Sequence, residues 1–375
     1  MSRCARRRRV FFFEEPLFDA VGSAHTTAAD VAPHVRVIVP HLTQSDRECQ
    51  ADVLRRLLDE AIEAERIQPE VLWYYTPMAL HFSDHLNARA VVYDCMDELS
   101  NFTGAPPGLR EAERALLRCA GVVFTGGRSL YEAKRHLHSN IHPFPSSVDV
   151  AHFAAARTHR GPEPADQLTI PAPRIGFFGV IDERLDGELI AGVSRIRPEW
   201  QFILLGPIVK IDPLSLPRAS NVHYLGQKTY DDLPRYLAGW DVAMLPFARN
   251  DATRYISPTK TPEYLAGGCP VVSTSIADVV RPYGDLGLAR IADSPEDFAA
   301  AIEAALTQDM TTHRQAADRV LATMSWDATW AAMSDHIETL CGKDSAACSI
   351  TSSLVPASPA PWSPSVSPQT LGKRS

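Results

Sequence analysis

Short runs of β-branched and aromatic residues alternate along this chain with polar turns and with stretches of helical spacing. The first half contains the runs RVFFFEEP, VRVIVPHL, VLWYYTPMAL, AVVYDCMDE and GVVFTGG, and the second contains RIGFFGVID, WQFILLGP, NVHYLGQ, DVAMLPFA, CPVVSTS and GLARIAD. Apolar spacing between the runs predicts helices over 47–66, 109–118, 128–138, 184–196, 229–238, 259–267 and 295–307. Buried strands that alternate with helices are typical of parallel, doubly wound sheets. The runs are too many for one ordinary sheet, so we predict an α/β protein with two Rossmann-like domains.

A change of composition marks the boundary between the two halves. In the segment AAARTHRGPEPADQLTIPAP, residues 154–173, proline, charge and small residues replace the periodic pattern. We predict a first domain over 1–155, a linker over 156–173, a second domain over 174–310 and amphipathic helices over 311–341, with Ser325 as an N-cap. The region 342–375 is rich in Ser, Pro and Ala, which predicts a disordered tail.

The beginning of the first half departs from the doubly wound pattern. Such a domain starts with a central strand that turns into a helix, whereas only MSRCARRR precedes RVFFFEEP and resembles the end of a helix. Either this half lacks its first strand and helix, or its true start lies upstream of Met1. We favour the second explanation.

Composition limits the classes of function. The 375 residues carry a formal net charge of −8, which argues against a general nucleic-acid binder. The seven cysteines show neither a C-x-x-C pair nor metal-type spacing, so we expect a reduced, cytoplasmic protein without structural zinc. No apolar stretch approaches the roughly 20 residues that span a bilayer. The arginine-rich start leaves peripheral contact with the inner membrane face open, although a solvated helix end explains it as well.

The segment SPTKTPEYLAGGCPVVS, residues 257–273, contains the most specific candidate chemistry. A helix that starts near Thr259 exposes backbone amides in its first turn, and Lys260 adds a full positive charge at the same end. Glu263 lies three residues further on the same face, where a carboxylate suits the paired hydroxyls of a ribose. The pattern therefore favours a sugar-nucleotide site. A Lys–Glu pair on a solvated helix face is the alternative that the spacing leaves open.

These residues and several others resemble the GT-B glycosyltransferases, in particular the retaining enzymes of glycosyltransferase family four. SPTKTPEYLAGGCPVVST resembles the donor-site signature, and FPSSVDVAHF at 144–153 resembles the segment that joins the two domains. NVHYLGQKTYDDLPRYLAGWDVAMLPF and SWDATWAAM resemble later family segments, the second being the closing helix that returns to the first domain. The resemblance covers about Val10 to Leu340. It implies a GT-B fold, with two Rossmann-like domains that face a cleft and helices 311–341 that pack back on the first.

The resemblance also implies roles for individual residues. Glu263 would bind the donor ribose, while Lys260 and the amides near Ser257 and Thr259 would face the diphosphate. In the turn GFFGVIDERLD, Gly179 would let the backbone approach the phosphates and Arg184 would supply a second cation. Lys260 and Arg184 would then stabilise the departing diphosphate without a metal or other cofactor. For Arg184, an ordinary helix-start arginine paired to an acid remains an alternative.

One position departs from the family pattern. The usual signature has an acid eight residues before the ribose glutamate, where it contacts the donor sugar, and this chain has Tyr255 there. The identity of the donor sugar is therefore open. The variant pattern is more similar to the teichuronic-acid-type and related cell-envelope sugar transferases.

In the first half, YDCMDELSNF places Asp94, Asp97 and Glu98 just past the carboxyl end of a predicted strand. Ligand sites of doubly wound sheets lie at that edge. These acids are candidates to align an acceptor hydroxyl or to act on its proton. A loop of solvated acids that caps the next helix is the structural alternative.

The patterns and the resemblance together predict a glycosyltransferase that moves a sugar from a nucleotide-sugar donor to a glycan or lipid-linked acceptor. Retention and independence from a metal are what the resemblance implies. Two alternatives stay open. One is a nucleotide-sugar epimerase on the same fold. The other is a catalytically silent sugar-nucleotide-binding or scaffold protein, which the missing acid at Tyr255 favours.

Overall fold

Two sheets organise the protein, and both are parallel except for one antiparallel edge strand, residues 25–32, in the first. The computed structural model describes residues 2–159 and 161–342 and the backbone of a strand at 352–356. The strands of the first half are β1 (Arg9–Phe13), β2 (His25–Ala32), β3 (Val35–His41), β4 (Pro69–Tyr74), β5 (Ala90–Cys95), β6 (Val122–Thr125) and β7 (Ile141–Pro143). Those of the second half are β8 (Arg174–Phe178), β9 (Gln201–Leu205), β10 (Val222–Gly226), β11 (Val242–Leu245), β12 (Val271–Ser273) and β13 (Ala289–Ile291). The second sheet has the order β10-β9-β8-β11-β12-β13, all parallel, as a doubly wound domain requires.

The central place of the first sheet is taken by a strand from the end of the chain. This strand, β14 (Ser352–Pro356), lies between β1 and β4 and is parallel to both, in the order β2-β3-β1-β14-β4-β5-β6-β7. The run RVFFFEEP is therefore not the central strand. A gap at this place would leave backbone groups of two neighbouring strands without ladder partners.

The five residues of β14 form a strand, whereas the composition predicted disorder throughout 342–375. Their hydrogen bonds to two neighbouring strands explain the difference, because the composition of a segment does not predict pairing with strands that are distant in sequence. The rest of the predicted tail beyond Gly342 lies outside the described residues.

The helices lie where the apolar spacing predicted them, with ends that differ by a few residues. The described helices are α1 (Gln50–Ala64), α2 (Leu80–Ser83), α3 (Leu109–Cys119), α4 (Arg128–Lys134), α5 (Val150–Ala154), α6 (Ala165–Leu168), α7 (Gly187–Ile196), α8 (Leu233–Leu237), α9 (Lys260–Ala266), α10 (Ala277–Val279), α11 (Pro295–Leu306), α12 (Met310–Leu321) and α13 (Trp326–Cys341). Each predicted helix is confirmed. The extra short helices occupy loops in which no periodic pattern is long enough to detect.

Both faces of the first sheet are covered. Phe11 and Phe13 of β1 point into one apolar cluster, whereas Phe12 between them points into the other, and all three are buried. A strand covered on both faces needs apolar residues at consecutive positions rather than at alternate ones. This explains the uninterrupted VFFF run. The strand ends at Phe13, so Glu14 and Glu15 lie at the carboxyl end of the strand.

The two helices after the second domain pack on different domains. The α12 residues Ala317 and Leu321 are buried in the core of the second domain. On α13, Trp330 stacks on Trp73 of the first domain at 6.0 Å between ring centroids, and Ile337 is buried in the same cluster. Only α13 therefore returns to the first domain, whereas the resemblance assigned this packing to all of 311–341. Ser325 is confirmed as its N-cap.

The arginine-rich start packs against this returning helix. Arg3 and Arg6 make ion pairs of 3.0 and 2.7 Å with Asp327, and Arg7 lies 3.5 Å from Glu338. These exposed arginines thus have carboxylates of α13 as neighbours. No helix within residues 2–159 and 161–342 combines the length and apolar character that crossing a bilayer requires.

Candidate functional site

The turn after β8 contains a glycine, Gly179, that the close approach of the Lys260 side chain requires. Gly179 has a φ of 148°, a backbone conformation that L side chains rarely adopt. A Cβ at this position would lie 3.0 Å from Nζ of Lys260 and closer still to its Cε. The absence of a side chain therefore lets the lysine from α9 pass directly beside this turn. The predicted role of Gly179, close approach of backbone to a ligand, stays a prediction.

Three residues later, an aspartate and an arginine form a buried bidentate ion pair. Arg184 donates from Nε to both carboxylate oxygens of Asp182, at 2.9 and 3.1 Å, and from Nη2 at 2.6 Å. Arg184 and Asp182 are 4% and 7% exposed. The guanidinium also lies 5.7 Å from the ring centroid of Phe102 in the first domain. Arg184 is therefore a fixed cation at the domain boundary, with part of its charge compensated by Asp182.

Helix α9 brings Lys260 and Glu263 together beside this ion pair. Lys260 is 1% exposed and Glu263 is half-buried. Burial lowers the pKa of Lys260, and the positive charge of Arg184 lowers it further, while Glu263 and Asp182 oppose the shift. Burial likewise raises the pKa of Glu263, against the charge of Lys260. The alternative of a solvated Lys–Glu pair is wrong, because Lys260 is buried and Glu263 is half-buried.

A tyrosine on the same helix fixes α9 relative to the end of β8. The Tyr264 hydroxyl accepts a hydrogen bond of 3.0 Å from the backbone N–H of Phe178, which directly precedes Gly179. Tyr264 is fully buried and its ring contacts Phe178 edge-on at 4.7 Å. The glycine turn and Lys260 are thereby held in one rigid unit. The tyrosine belongs to the predicted motif, but its role was not predicted.

The residues that precede α9 connect it to the first domain. Thr259 lies half-buried just before the helix. The Ser257 hydroxyl bonds to the carboxylate of Asp278, and Tyr255 packs against the core of the first domain. The position that carries an acid in the family pattern is therefore used here for contact between the domains.

Asp278 joins the second domain to a helix of the first. Its carboxylate accepts backbone N–H groups of Arg128 and Ser129, at the start of α4, at 2.9 Å each. A side chain on Gly127 would collide with this carboxylate. Desolvation raises the pKa of Asp278, and the hydrogen bonds oppose that shift. The sequence gives no signal for this contact, because Asp278 lies 150 residues from Arg128.

The three candidate acids of the first domain lie in different environments. Asp94 is 4% exposed, accepts a 3.2 Å hydrogen bond from the Trp73 indole, and has its pKa raised to about 7 by burial. Glu98 makes a 2.6 Å ion pair with the buried Lys134. Asp97 is half-buried, and its pKa is raised by burial and lowered by the charge of Arg184. Of the three, Asp97 is the one whose pKa responds to a cation of the second domain, Arg184.

A cavity of about 700 Å³ lies between the two domains next to this site. Loops of the first domain form most of its wall, and Asp182, Glu183, Val209 and Lys210 close it from the second domain. The backbone N–H of Thr103 donates to Glu183 at 3.1 Å across the boundary. Sequence reasoning missed this cavity, although Glu14 and Glu15 follow a strand in the same way as the acids that it did select.

The described residues include no group of three or more His, Cys, Asp and Glu side chains placed to hold a metal ion. The cations that the site offers to an anionic ligand are Lys260 and Arg184. Independence from metal ions stays a prediction.

Comparison with known proteins finds glycosyltransferases. Residues 172–308 match the family model described as glycosyl transferases group 1. A Bacillus subtilis protein named as a teichuronic acid biosynthesis glycosyltransferase, TuaH, is 25% identical over 295 residues, which cover 73% of each chain. Its name, like the predicted variant pattern, refers to teichuronic acid.

Solved structures share the fold of almost the whole chain. Sucrose-phosphate synthase from Thermosynechococcus elongatus superposes with a TM-score of 0.65 at 14% identity, and covers 89% of this chain and 99% of its own. Anabaena HepE, solved with UDP and glucose, gives a TM-score of 0.63 at 15% identity over 89% and 99%. These structures show the GT-B fold, and together with the family match over residues 172–308 and the similarity to TuaH they identify the chain as a glycosyltransferase of that fold.

Proposed function

We propose that the protein transfers a sugar from a nucleotide-sugar donor, bound by the second domain, to a glycan or lipid-linked acceptor in the cleft. The observation that carries the proposal is the buried arrangement of Lys260, Glu263 and Arg184 around the Gly179 turn. Two buried cations separated from water interact strongly with a diphosphate, whose own negative charge offsets the cost of burying them.

The lowered pKa of Lys260 supports this assignment. In the free protein, burial and Arg184 disfavour the charged ammonium. A diphosphate supplies negative charge at this place and restores the ordinary pKa, so the bound lysine is protonated. Its attraction grows as the glycosidic bond breaks, because negative charge then develops on the leaving diphosphate.

Glu263 is placed to hold the ribose. It lies one helical turn from Lys260, and a carboxylate accepts hydrogen bonds from two vicinal hydroxyls. Tyr230, whose pKa is raised to about 12 by burial and by the charge of Glu263, lies close to the same carboxylate. Its ring offers an aromatic surface to a nucleoside.

Asp97 completes the proposed reaction centre from the first domain. It faces Arg184 across the cleft, where a carboxylate can orient the acceptor hydroxyl and take its proton. Asp94 and Glu98 are already engaged with Trp73 and Lys134. We therefore assign the acceptor role to Asp97 alone. Retention of configuration and the absence of a metal remain part of the proposal, carried by the family resemblance.

A screen of nucleoside diphosphates by thermal shift tests the proposal. We expect one base to raise the melting temperature of the wild type, Glu263→Ala to abolish the shift, and slow hydrolysis of the matching nucleotide sugar. Glu188→Ala is the matched control, because Glu188 is an acid near the start of α7 in the same domain and lies outside the proposed site. If no diphosphate stabilises the wild type, or if Glu263→Ala binds as the wild type does, the proposal is wrong.

A further inference from the structure

The cavity between the domains has a wall that is mostly apolar. Its volume of about 700 Å³ lies within the range of roughly 300–1,000 Å³ that small-molecule sites occupy. Side chains from four separate segments of the first domain supply the apolar surface: Phe18, Leu54, Met78, Phe82, Phe102 and Leu109. A polar sugar by itself would leave this surface facing water, so the wall favours an occupant with an apolar part.

The charged groups of the cavity are mainly acidic. Glu14, Glu15 and Glu183 line it together with one lysine, Lys210. Partial burial raises the pKa of both Glu14 and Glu15, and Lys210 lowers that of Glu15 from the opposite domain. A phosphate group in this cavity would meet more negative than positive charge. Carboxylates, in contrast, accept hydrogen bonds from sugar hydroxyls.

The cavity borders the proposed reaction centre. Asp182 lines it and binds Arg184, and Phe102 lines it and faces the same guanidinium. Leu99, two residues after Asp97, also belongs to the wall. An occupant of the cavity can therefore present a hydroxyl at the place where the donor sugar is released, which identifies the occupant as the acceptor.

We propose that this cavity binds an acceptor glycoside that carries an apolar aglycone and no phosphate within the cavity. The sugar lies towards Asp97 and Arg184, and the aglycone contacts the apolar wall. The proposal rests on the proposed function, because the cavity is an acceptor site only if the second domain binds the donor. It also narrows the acceptor class. The acceptor is a glycoside whose aglycone makes apolar contacts, and not a sugar phosphate that binds through its phosphate group.

The test is the binding of alkyl glucosides and alkyl galactosides of increasing chain length, from methyl to octyl, to the wild-type protein below their micellar concentrations. Full burial of each added CH₂ predicts about fourfold tighter binding, and partial burial predicts about twofold. Two head groups are used because the sugar is unknown and chain length is the readout. A comparison of glucose 6-phosphate with methyl glucoside tests whether a phosphate group on the sugar strengthens binding.

Two substitutions place a charge on opposite walls of the cavity. Met78→Glu in the first domain and Val209→Asp in the second are each expected to abolish the dependence on chain length. Leu214→Asp is the matched control, because Leu214 is an apolar residue of the second domain that is 72% exposed and does not line the cavity. Nucleoside diphosphate binding, measured on every variant, reports that the fold is intact.

The outcomes separate this proposal from the proposed function. If diphosphates bind but affinity does not rise with alkyl chain length, or if glucose 6-phosphate binds more tightly than methyl glucoside, the acceptor proposal is wrong and the donor site stands. Chain-length dependence that persists unchanged in both cavity variants also overturns it. If alkyl glycosides bind but no diphosphate does, the proposed function fails and the acceptor proposal, which rests on it, fails as well.

Discussion

The two domains use their charged residues in opposite ways. In the second domain, Lys260 is buried and Glu263 is half-buried beside an ion pair, and burial shifts the pKa of each. In the first domain, Asp94 accepts a hydrogen bond from Trp73 and Glu98 pairs with Lys134, and the surface that faces the second domain lines a mostly apolar cavity. Under the proposed function, a diphosphate offsets the cost of burying the charge of Lys260, whereas these acids of the first domain need no ligand to offset their burial. Burial and charge compensation therefore distinguish the candidate residues more sharply than the residue types do.

The largest expected effect is the loss of Lys260. Lys260→Met removes the charge and keeps much of the volume, so we expect the transfer rate to fall by about 10³-fold and diphosphate affinity to fall less. Unfolding of the ligand-free protein should occur at a temperature no lower than that of the wild type, because the substitution removes a buried ammonium. Single-turnover rates, diphosphate titration and thermal unfolding measure the three quantities. Equal losses of rate and affinity would contradict the role assigned to the lysine.

Proton uptake provides a second measurement of the same residue. Because its pKa is lowered in the free protein, part of the Lys260 population is neutral and gains a proton when a diphosphate binds. Affinity should therefore fall as the pH rises through the lowered pKa. Calorimetry in buffers of different ionisation enthalpy would detect the uptake in the wild type and show its loss in Lys260→Met. Identical uptake in both proteins would assign the proton to another group.

The next effect compares two neighbouring acids of the first domain. We expect Asp97→Asn to lower the transfer rate by about 10²-fold without a change in diphosphate affinity. Glu98→Gln is the matched control: it weakens the ion pair with Lys134, so it should lower the melting temperature and leave the rate per folded molecule nearly unchanged. If the two substitutions exchange these phenotypes, the acceptor role belongs to Glu98.

A smaller effect is expected at the glycine turn. In Gly179→Ala the new methyl group meets Lys260 and the backbone is strained, which costs about 1–3 kcal/mol and displaces the lysine. Gly287→Ala is the matched control, because it introduces backbone strain without a new side-chain contact. Gly287 has a positive φ of 69°, and a methyl group added there would have no neighbour within 4 Å. Both variants should be less stable, but only Gly179→Ala should bind diphosphate more weakly. Similar diphosphate affinity in the two would show that the contact with Lys260 is unimportant.

The smallest effect on the transfer rate is expected at Asp94, whose substitution should instead change the pH dependence of stability. Its pKa is raised to about 7, against about 3.9 in an unfolded chain. The folded state therefore holds a proton that the unfolded state loses in this window. The resulting stabilisation is complete below about pH 4 and is lost as the pH rises to about 7, by up to about 1.4 kcal/mol per pH unit.

Asp94→Asn should remove this dependence and leave the rate per folded molecule unchanged. Urea titrations between about pH 4 and 8 measure it in both proteins. A variant that loses transfer activity while its stability keeps the wild-type pH profile would place Asp94 in the reaction centre instead.

The sequence by itself determined the elements and the residues of the proposed donor site. Consecutive apolar residues define strands covered on both faces, so the doubly wound architecture and the helices were predicted with small errors at their ends. Lys260 and Glu263 were found because one short helix carries both, and helical spacing alone puts them on one face.

Tertiary structure decided what depends on contacts between distant segments. The cavity between the domains combines residues from Glu14 to Lys210, Asp278 contacts a helix start 150 residues away, and β14 joins the sheet beside β1. No local pattern encodes such contacts, because the periodicity of a segment does not depend on the segment that packs against it.

The surroundings of a carboxylate also belong to the folded chain. Burial distinguishes Asp94 from Asp97, and the ion pair with Lys134 distinguishes Glu98. The same side chain is therefore structural or available for a ligand according to its neighbours.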